Sequence, residues 1–445
     1  MLWVAVWWVS GAIDIGVTSF LPFILLPLLG IMKTETVAMQ YMEHTIFLFI
    51  GGFIVGFAME KWDLHNRIAY RIMLFTGSTP SRILGGIMLT SYLVSWWMSN
   101  TATTLMLLAA VIAIINQDQL FQENIRKKMA AALLIGLAYS ATIGGMATIV
   151  GTPTNMIFVG YWEAHYGTLE PVTFLRWSAF AFPLSLILLT FTYFMLKFFF
   201  LRNIVAHPSG KNFILEKYNS LGPMSFEQKA VSIIFLITIS LWFTRSNVNF
   251  GSVIFSGWEN LFPKNFIKDS TIAIMMAVLL FLIPSKNKRG SFILEWPDVL
   301  KLPLRIILLF GAGFALAEGF EVTGLGNFLA TKLAFFKDYP AWIIILMVAV
   351  TVTILSEFAS NVASITLMLP VLNSLSVAIE MDPFLLMMPA TLAASFGFMM
   401  PVATAPNTIA FSTGHIRVRD MMKTGLLLNV MSIIVLVLMI VLLKY

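Results

Sequence analysis

The chain has 445 residues, 59% of them apolar and only 11% charged, with 28 Lys+Arg against 22 Asp+Glu and no cysteine. Globular domains carry about 25% charge and under about 50% apolar residues, so a soluble fold of this size would lack a polar surface, and a cytosolic enzyme is excluded. The absence of cysteine removes disulfides, thiolate metal sites, iron–sulfur ligation and cysteine nucleophiles. What remains is a polytopic membrane protein.

A helix needs roughly 20 residues to cross the hydrocarbon. The first 32 residues, with Asp14 in their middle, are too long for one upright crossing and too short for two. Residues 43–60 then read as an ordinary crossing, and Trp62 to Phe75 mix apolar and polar residues as a helix lying in the interface does. From Ile83 to Gln117 run 35 uncharged residues, divided by Ser99-Asn100-Thr101 into two arms of 16. Each arm reaches only about 24 Å as helix, so the segment predicts a re-entrant hairpin with a polar tip buried in protein or wetted. Met129 to Trp162 is a stretch of 34 residues without a charge, broken at Gly151-Thr152-Pro153-Thr154-Asn155. Residues 177–196 form a further crossing. A polar segment containing His207-Pro208-Ser209-Gly210 separates it from crossings at 230–244, 270–285 and 302–320.

Thr323 to Phe336 reads as a second interfacial helix, and Tyr339 to Ile379 repeats the hairpin around Ser360-Asn361-Val362, interrupted only by Glu357. Pro383 to Ile416 repeats the broken 34-residue stretch, with its break at Ala403-Thr404-Ala405-Pro406-Asn407, and 424–443 is the last crossing. The organisation follows. Residues 1–42 are N-terminal scaffold helices, 43–201 a first repeat with hairpin 80–117 and broken helix 129–165, 202–228 a polar linker, and 229–445 a second repeat with hairpin 339–379 and broken helix 383–416.

The duplication is visible in shared offsets. Phe49, Gly52, Phe53 and Glu60 match Phe310, Gly313, Phe314 and Glu321; Leu64, Asn66 and Ala69 match Leu325, Asn327 and Ala330; Ser95, Ser99, Asn100 and Ala102 match Ser356, Ser360, Asn361 and Ala363, all at an offset of 261. The two broken-helix loops align at 252. Five crossings separate equivalent points, an odd number, so the halves are inverted. Sorting the basic residues by this topology places 20 of 28 on one face, which marks that face as cytoplasmic. The net charge of +6 is accounted for by this bias, without nucleic acid as a partner.

Inverted repeats with discontinuous helices describe secondary transporters, where half-helix N-termini and unwound carbonyls meet near the midplane. Helices restarting after Thr101, Asn155, Val362 and Asn407 would each direct about half a positive charge at one cavity. Such a cavity suits an anion. The proposed cavity segments contain no lysine or arginine, so a multiply charged anion needs co-bound cations. Hard cations such as sodium take oxygen ligands, and the breaks offer Ser95, Ser99, Asn100, Ser356 and Asn361 with the carbonyls of Gly151 and Ala403. Glu357 reads either as a proton or sodium carboxylate, since intramembrane acids are functional by default, or as a group that is simply paired or wetted. The five histidines, at 44, 65, 165, 207 and 415, form no ligand spacing, and no GxxxxGK[ST], HExxH or GxSxG motif is present.

These residues resemble the divalent anion/sodium symporter family, which includes bacterial and animal dicarboxylate and citrate carriers. The resemblance rests on SNTATT at Ser99, SNVAS at Ser360, GTPTN at Gly151 and the run from Ser395 to Asn407, and extends from Trp7-Trp8 to the C-terminus. It begins where family members have passed their first helix, so a shortened N-terminus is expected. The resemblance implies an all-α inverted-repeat fold of the elevator type, a homodimer in the cytoplasmic membrane, and sodium as coupling ion with no organic cofactor. It places one sodium site on Ser95, Ser99, Asn100 and Gly151, and a second on Ser356, Ala359, Asn361 and Ala403. Substrate carboxylates would meet Asn100, Thr101, Asn361, Val362 and Thr404, with Val362 standing where a threonine is usual, and Thr154 and Ala405 where prolines are usual. The expected activity is sodium-coupled uptake of succinate, malate, fumarate or citrate. A sodium-independent exchanger, a sulfate-type carrier and an anion channel are the alternatives.

Overall fold

The computed structural model describes residues 2–77, 79–116, 123–167, 171–202, 210–250, 253–263, 266–287 and 290–443. His207, Pro208 and Ser209 of the expected linker, and Gln117 at the end of the expected first hairpin, lie outside the described residues. The described chain is helical apart from one two-stranded ribbon. Seven helices are long and apolar enough to cross a membrane, and an eighth span is formed if a helix pair bent by 76° is counted as one.

The N-terminal segment resolves into short pieces, α1 (Leu2–Ser10), α2 (Ile15–Thr18), α3 (Leu21–Leu28) and α4 (Thr34–Gln40). Asp14, unexplained by hydropathy, caps α2 by accepting the Gly16 N–H at 2.9 Å and pairs with Arg305 at 3.0 Å. Glu43 caps α5 (His44–Lys61), which is followed by α6 (Leu64–Thr76). The chain reverses direction between them through Asp63, held at φ +53°, a left-handed conformation that Asp tolerates better than most residues.

α7 (Pro80–Val94) and α8 (Asn100–Ile115) flank the first Ser-Asn segment. α9 (Glu123–Met146) and α10 (Pro153–Tyr166) are separated by an irregular stretch that contains one 3-10 turn at Ile149–Gly151. α11 (Phe174–Leu196) ends in a wider π turn, Lys197–Leu201. α12 (Gly210–Ser220) lies in the polar connection. α13 (Phe226–Thr244) starts three residues earlier than the expected repeat boundary, because Ser225 and Gln228 form a reciprocal capping box. Arg67 on α6 fixes that corner, donating to Gln228 Oε1 at 3.1 Å and to the Leu221 carbonyl at 3.1 Å.

β1 (Val248–Phe250) and β2 (Val253–Phe255) form the antiparallel ribbon, in a register that pairs Val248 with Phe255. α14 (Asp269–Leu282), α15 (Trp296–Val299) and α16 (Leu304–Val322) follow. α17 (Leu325–Leu333) leaves α16 at 76°, through Gly324 at φ +70°. Asp63 and Gly324 are thus left-handed corners at equivalent positions, 261 residues apart. α18 (Ala341–Phe358) and α19 (Asn361–Ile379) flank the second Ser-Asn segment, α20 (Phe384–Ala393) and α21 (Ala405–Ser412) flank an irregular stretch, and α22 (Val418–Leu443) closes the chain.

α5 lies directly on α14, with Gly51 at the contact. A Cβ added there would sit 2.6 Å from the Ala273 carbonyl carbon and 2.7 Å from its Cβ. Phe49, two residues earlier, meets its equivalent Phe310 edge-on at 5.1 Å. At one rim, Asp269 accepts the Phe174 N–H at 3.1 Å and pairs with Arg245 at 2.6 Å, while Lys268 pairs with Glu163 at 2.6 Å. These bonds tie α13 and α14 to the adjoining ends of α10 and α11. Gly51→Val should push α5 off α14 and destabilise the fold by about 1–3 kcal/mol, read as a lower unfolding temperature of the purified protein relative to the unsubstituted chain.

Candidate functional site

The helices restart two or three residues before the positions expected from sequence. α8, α10, α19 and α21 have Ser99, Thr152, Ser360 and Thr404 as their N-caps, because a Ser or Thr just outside the helix can satisfy its first free N–H groups. Ser99 Oγ accepts the Ala102 N–H at 3.2 Å and Thr404 Oγ1 the Asn407 N–H at 3.4 Å. Asn100 and Asn361 therefore occupy the first turn of their helices, half-buried, with Thr101 exposed and Val362 half-buried beside them.

The two interrupted helices are held open by asparagine. Asn155 Nδ2 donates to the carbonyls of Gly145, Met146 and Thr148 at 3.2, 3.3 and 2.8 Å. Asn407 Nδ2 donates to those of Gly397, Phe398 and Met400 at 3.1, 3.4 and 3.1 Å. All four correspondences fall at the 252 offset. Each amide substitutes for helix bonds that the break removes, and both asparagines are fully buried.

Each Ser-Asn segment rests on its own break. A Cβ on Gly151 would lie 2.5 Å from the Gly145 carbonyl oxygen and 2.9 Å from that of Ser95, and a Cβ on Gly145 would collide with the Asn100 amide. The structure so brings Ser95, Asn100 and Gly151 together, while Ser99 spends its hydroxyl on the cap. On the other side, a Cβ on Gly397 would lie 3.2 Å from both the Ser356 carbonyl oxygen and the Ala403 Cβ. Asn361 and Ala359 flank Ser360 on the adjoining turn. Thr404, nearly buried, follows Ala403. The breaks meet where Thr154 Oγ1 lies 3.2 Å from Ser395 Oγ.

The two half-sites differ in how their oxygens are used. In the first, Ser95 Oγ donates to Asn100 Oδ1 at 2.6 Å. In the second, Ser356 Oγ, Asn361 Oδ1 and Asn407 Oδ1 are buried without a hydrogen-bond partner among the described residues. Buried orphaned oxygens are costly, and a small hard cation is the ligand that would satisfy them. Among the described residues no three His, Asp or Glu side chains gather into a metal-binding group.

Glu357 is buried one residue from Ser356. Its carboxylate accepts the N–H groups of Met399 and Met400, both at 2.8 Å, and the Asn429 amide on α22. Asn429 Oδ1 in turn accepts the Phe398 N–H at 3.3 Å. Its contacts are all donors, so the carboxylate is paired against the unwound strand, as one of the two sequence readings has it. Hydropathy gave no sign of Asn429, which sits inside an uncharged run.

A helical membrane protein whose interrupted helices place capped N-termini and unwound carbonyls side by side is a transporter rather than an enzyme. The family model described as the sodium:sulfate symporter transmembrane region matches residues 1–444, and the chain belongs to that family of multi-pass bacterial membrane proteins. It is 38% identical over 446 residues to the sodium-dependent dicarboxylate transporter SdcS of Staphylococcus saprophyticus, covering 99% of this chain and 84% of that one. SdcS of Staphylococcus aureus is 36% identical over the same shares. The fold is similar to that of Neisseria gonorrhoeae MtrF, described as one of a class of antimetabolite efflux pumps, with a TM-score of 0.59 at 13% identity over 91% of this chain and 82% of that one.

Asn155→Ala and Asn407→Ala each remove a donor from three carbonyls, of which Thr148 keeps the Gly151 N–H and Met400 the Ala403 N–H. With about 1–3 kcal/mol for each unsatisfied buried group, either should cost at least about 2 kcal/mol. Thermal unfolding would read this against Asn219→Ala, an exposed control on α12.

Proposed function

We propose that this chain is a sodium-coupled secondary transporter of dicarboxylates such as succinate, malate or fumarate. The observation that carries the reading is the repeated half-site: a Ser-Asn helix start seated on a break clamped by asparagine, present twice with matching partners. The names of the staphylococcal relatives support sodium coupling and the dicarboxylate class. The first sodium is assigned to Ser95, Ser99, Asn100 and Gly151, and the second to Ser356, Ala359, Asn361 and Ala403. The carboxylates are assigned to Asn100, Thr101, Asn361, Val362 and Thr404, with the N-termini of α8 and α19 supplying positive dipole ends.

Inverted repeats are supported by the left-handed corners at Asp63 and Gly324, the matching asparagine clamps and the Phe49–Phe310 contact. By length α18 and α19 could each cross alone; reading them as a re-entrant hairpin rests on their equivalence to the shorter α7 and α8. In the elevator reading α5, α13 and α14 stay fixed within a homodimer, and the half-sites move with α7–α11 and α18–α22.

In proteoliposomes an inward sodium gradient should drive succinate uptake, and equal uptake with and without it would sink symport. Sulfate competing as well as succinate would favour the sulfate-type alternative. Asn100→Ala or Asn361→Ala should abolish uptake while the protein remains folded. The half-sites should also differ in sodium response. Ser356→Ala removes an oxygen with no other partner and should raise the half-saturating sodium concentration by about tenfold, equivalent to about 1.4 kcal/mol. Ser95→Ala should raise it less, because it frees the Asn100 oxygen that Ser95 now occupies.

A further inference from the structure

A cavity of about 610 Å³ lies behind the first Ser-Asn segment. Its walls include Met59 of α5, Trp97, Thr148, Ala179 of α11 and Phe235 of α13. Thr148 connects it to the candidate sodium site: its hydroxyl donates to the Trp96 carbonyl at 2.5 Å and accepts the Gly151 N–H at 3.1 Å. Trp97 stacks nearly parallel to Phe174 and Trp242, at 5.7 and 6.1 Å.

Three contents are conceivable, and two fail on physical grounds. Water in a cavity needs two to four polar partners, or about three; Thr148 has already committed its hydroxyl, and the wall's free polar side-chain atoms are Ser178 Oγ and Trp96 Nε1, too few for the many waters that a volume of this size would hold. An empty space of this size forfeits the dispersion contacts of its whole lining. Hydrocarbon meets neither objection. The neighbouring outer faces of α11 and α13 are apolar and exposed, at Phe182 and Leu186 on one and Ile233 and Leu236 on the other, so in a membrane-spanning chain lipid tails already cover the rim. A volume of this order is that of an ordinary small-molecule site, about 300–1,000 Å³.

We propose that this cavity is a binding site for one acyl chain of a membrane phospholipid, entering sideways between α11 and α13. Resting on the elevator reading, the chain fills a seam between fixed walls (α5, α13) and moving ones (α11, Trp97, Thr148), where a bound tail yields to sliding more readily than interlocked side chains do.

The chain has no cysteine, so Ser178→Cys, at a buried wall position, gives a single attachment point for a bimane fluorophore, and Leu186→Cys a control on the open lipid face. In phosphatidylcholine vesicles containing lipid with a nitroxide on its acyl chain, the label at 178 should be quenched as strongly as that at 186, and aqueous iodide should quench neither. Iodide quenching at 178, or nitroxide quenching at 186 alone, would overturn the proposal. Native mass spectrometry gives the second reading: one phospholipid should stay on the unmodified protein through detergent washing and be lost from Ser178→Trp, and equal retention by both would likewise overturn it. Neither measurement uses sodium or substrate, so a failed transport assay leaves this test standing.

Discussion

Hydrocarbon offers no partner to a backbone N–H or carbonyl, and the candidate site of this protein consists of four places where helices are interrupted at membrane depth. Everything at the site depends on how those freed groups are satisfied. Asn155 and Asn407 each take three carbonyls, Glu357 takes two N–H groups, and Thr148 joins the Trp96 carbonyl to the Gly151 N–H. Each clamp comes from within a few residues of the break or from a helix packed on it. Polar backbone can therefore remain open towards a ligand on one side because it is closed by side chains on the other.

The halves solve this problem unequally. In the first half Ser95 and Asn100 satisfy each other, and Thr154 gives the break a hydroxyl within 3.2 Å of Ser395. In the second, proline stands at the position equivalent to Thr154, and Ser356, Asn361 and Asn407 each keep an oxygen unpaired. Glu357 replaces Trp96 at the equivalent position, adding a carboxyl group to the second half-site alone. Equivalent residues thus have different polar surroundings, and the two half-sites are not interchangeable.

Much of the fold was legible because apolar run lengths and the 261 and 252 offsets survive directly as helices and corners. The crossing at α5, helices α6 and α17, the Ser-Asn segments and the interruptions all fall near their expected places. What the sequence concealed were contacts between distant segments. Asn429 and Tyr139 sit within uncharged runs, yet one braces Glu357 and the other donates to the Met421 carbonyl at 3.1 Å. The helix starts shifted by two or three residues, at α8 and α21 because Ser99 and Thr404 serve as caps, a role that periodicity does not distinguish from a ligand role. The second interruption also runs longer than its Pro-Asn motif suggests, unwound from Ala394 to Thr404, since Glu357 and Asn429 support its strand.

If one part of the molecule slides past the other, the bonds crossing the seam set what that motion must break. Among the described residues they include Glu163 with Lys268 and Asp269 with the Phe174 N–H at one rim, the ring stack of Trp97 on Trp242, and His165 of α10 with Glu321 of α16. Exposed ion pairs are worth only about 0–1 kcal/mol, but Glu163 and Asp269 are largely shielded, and leaving either unpaired would cost more. In the elevator reading these bonds would define a discrete resting position, and the apolar surface between them would impose little resistance between positions. A carrier that must pause with its site exposed and then move without stalling requires that division of labour between polar latch and apolar track.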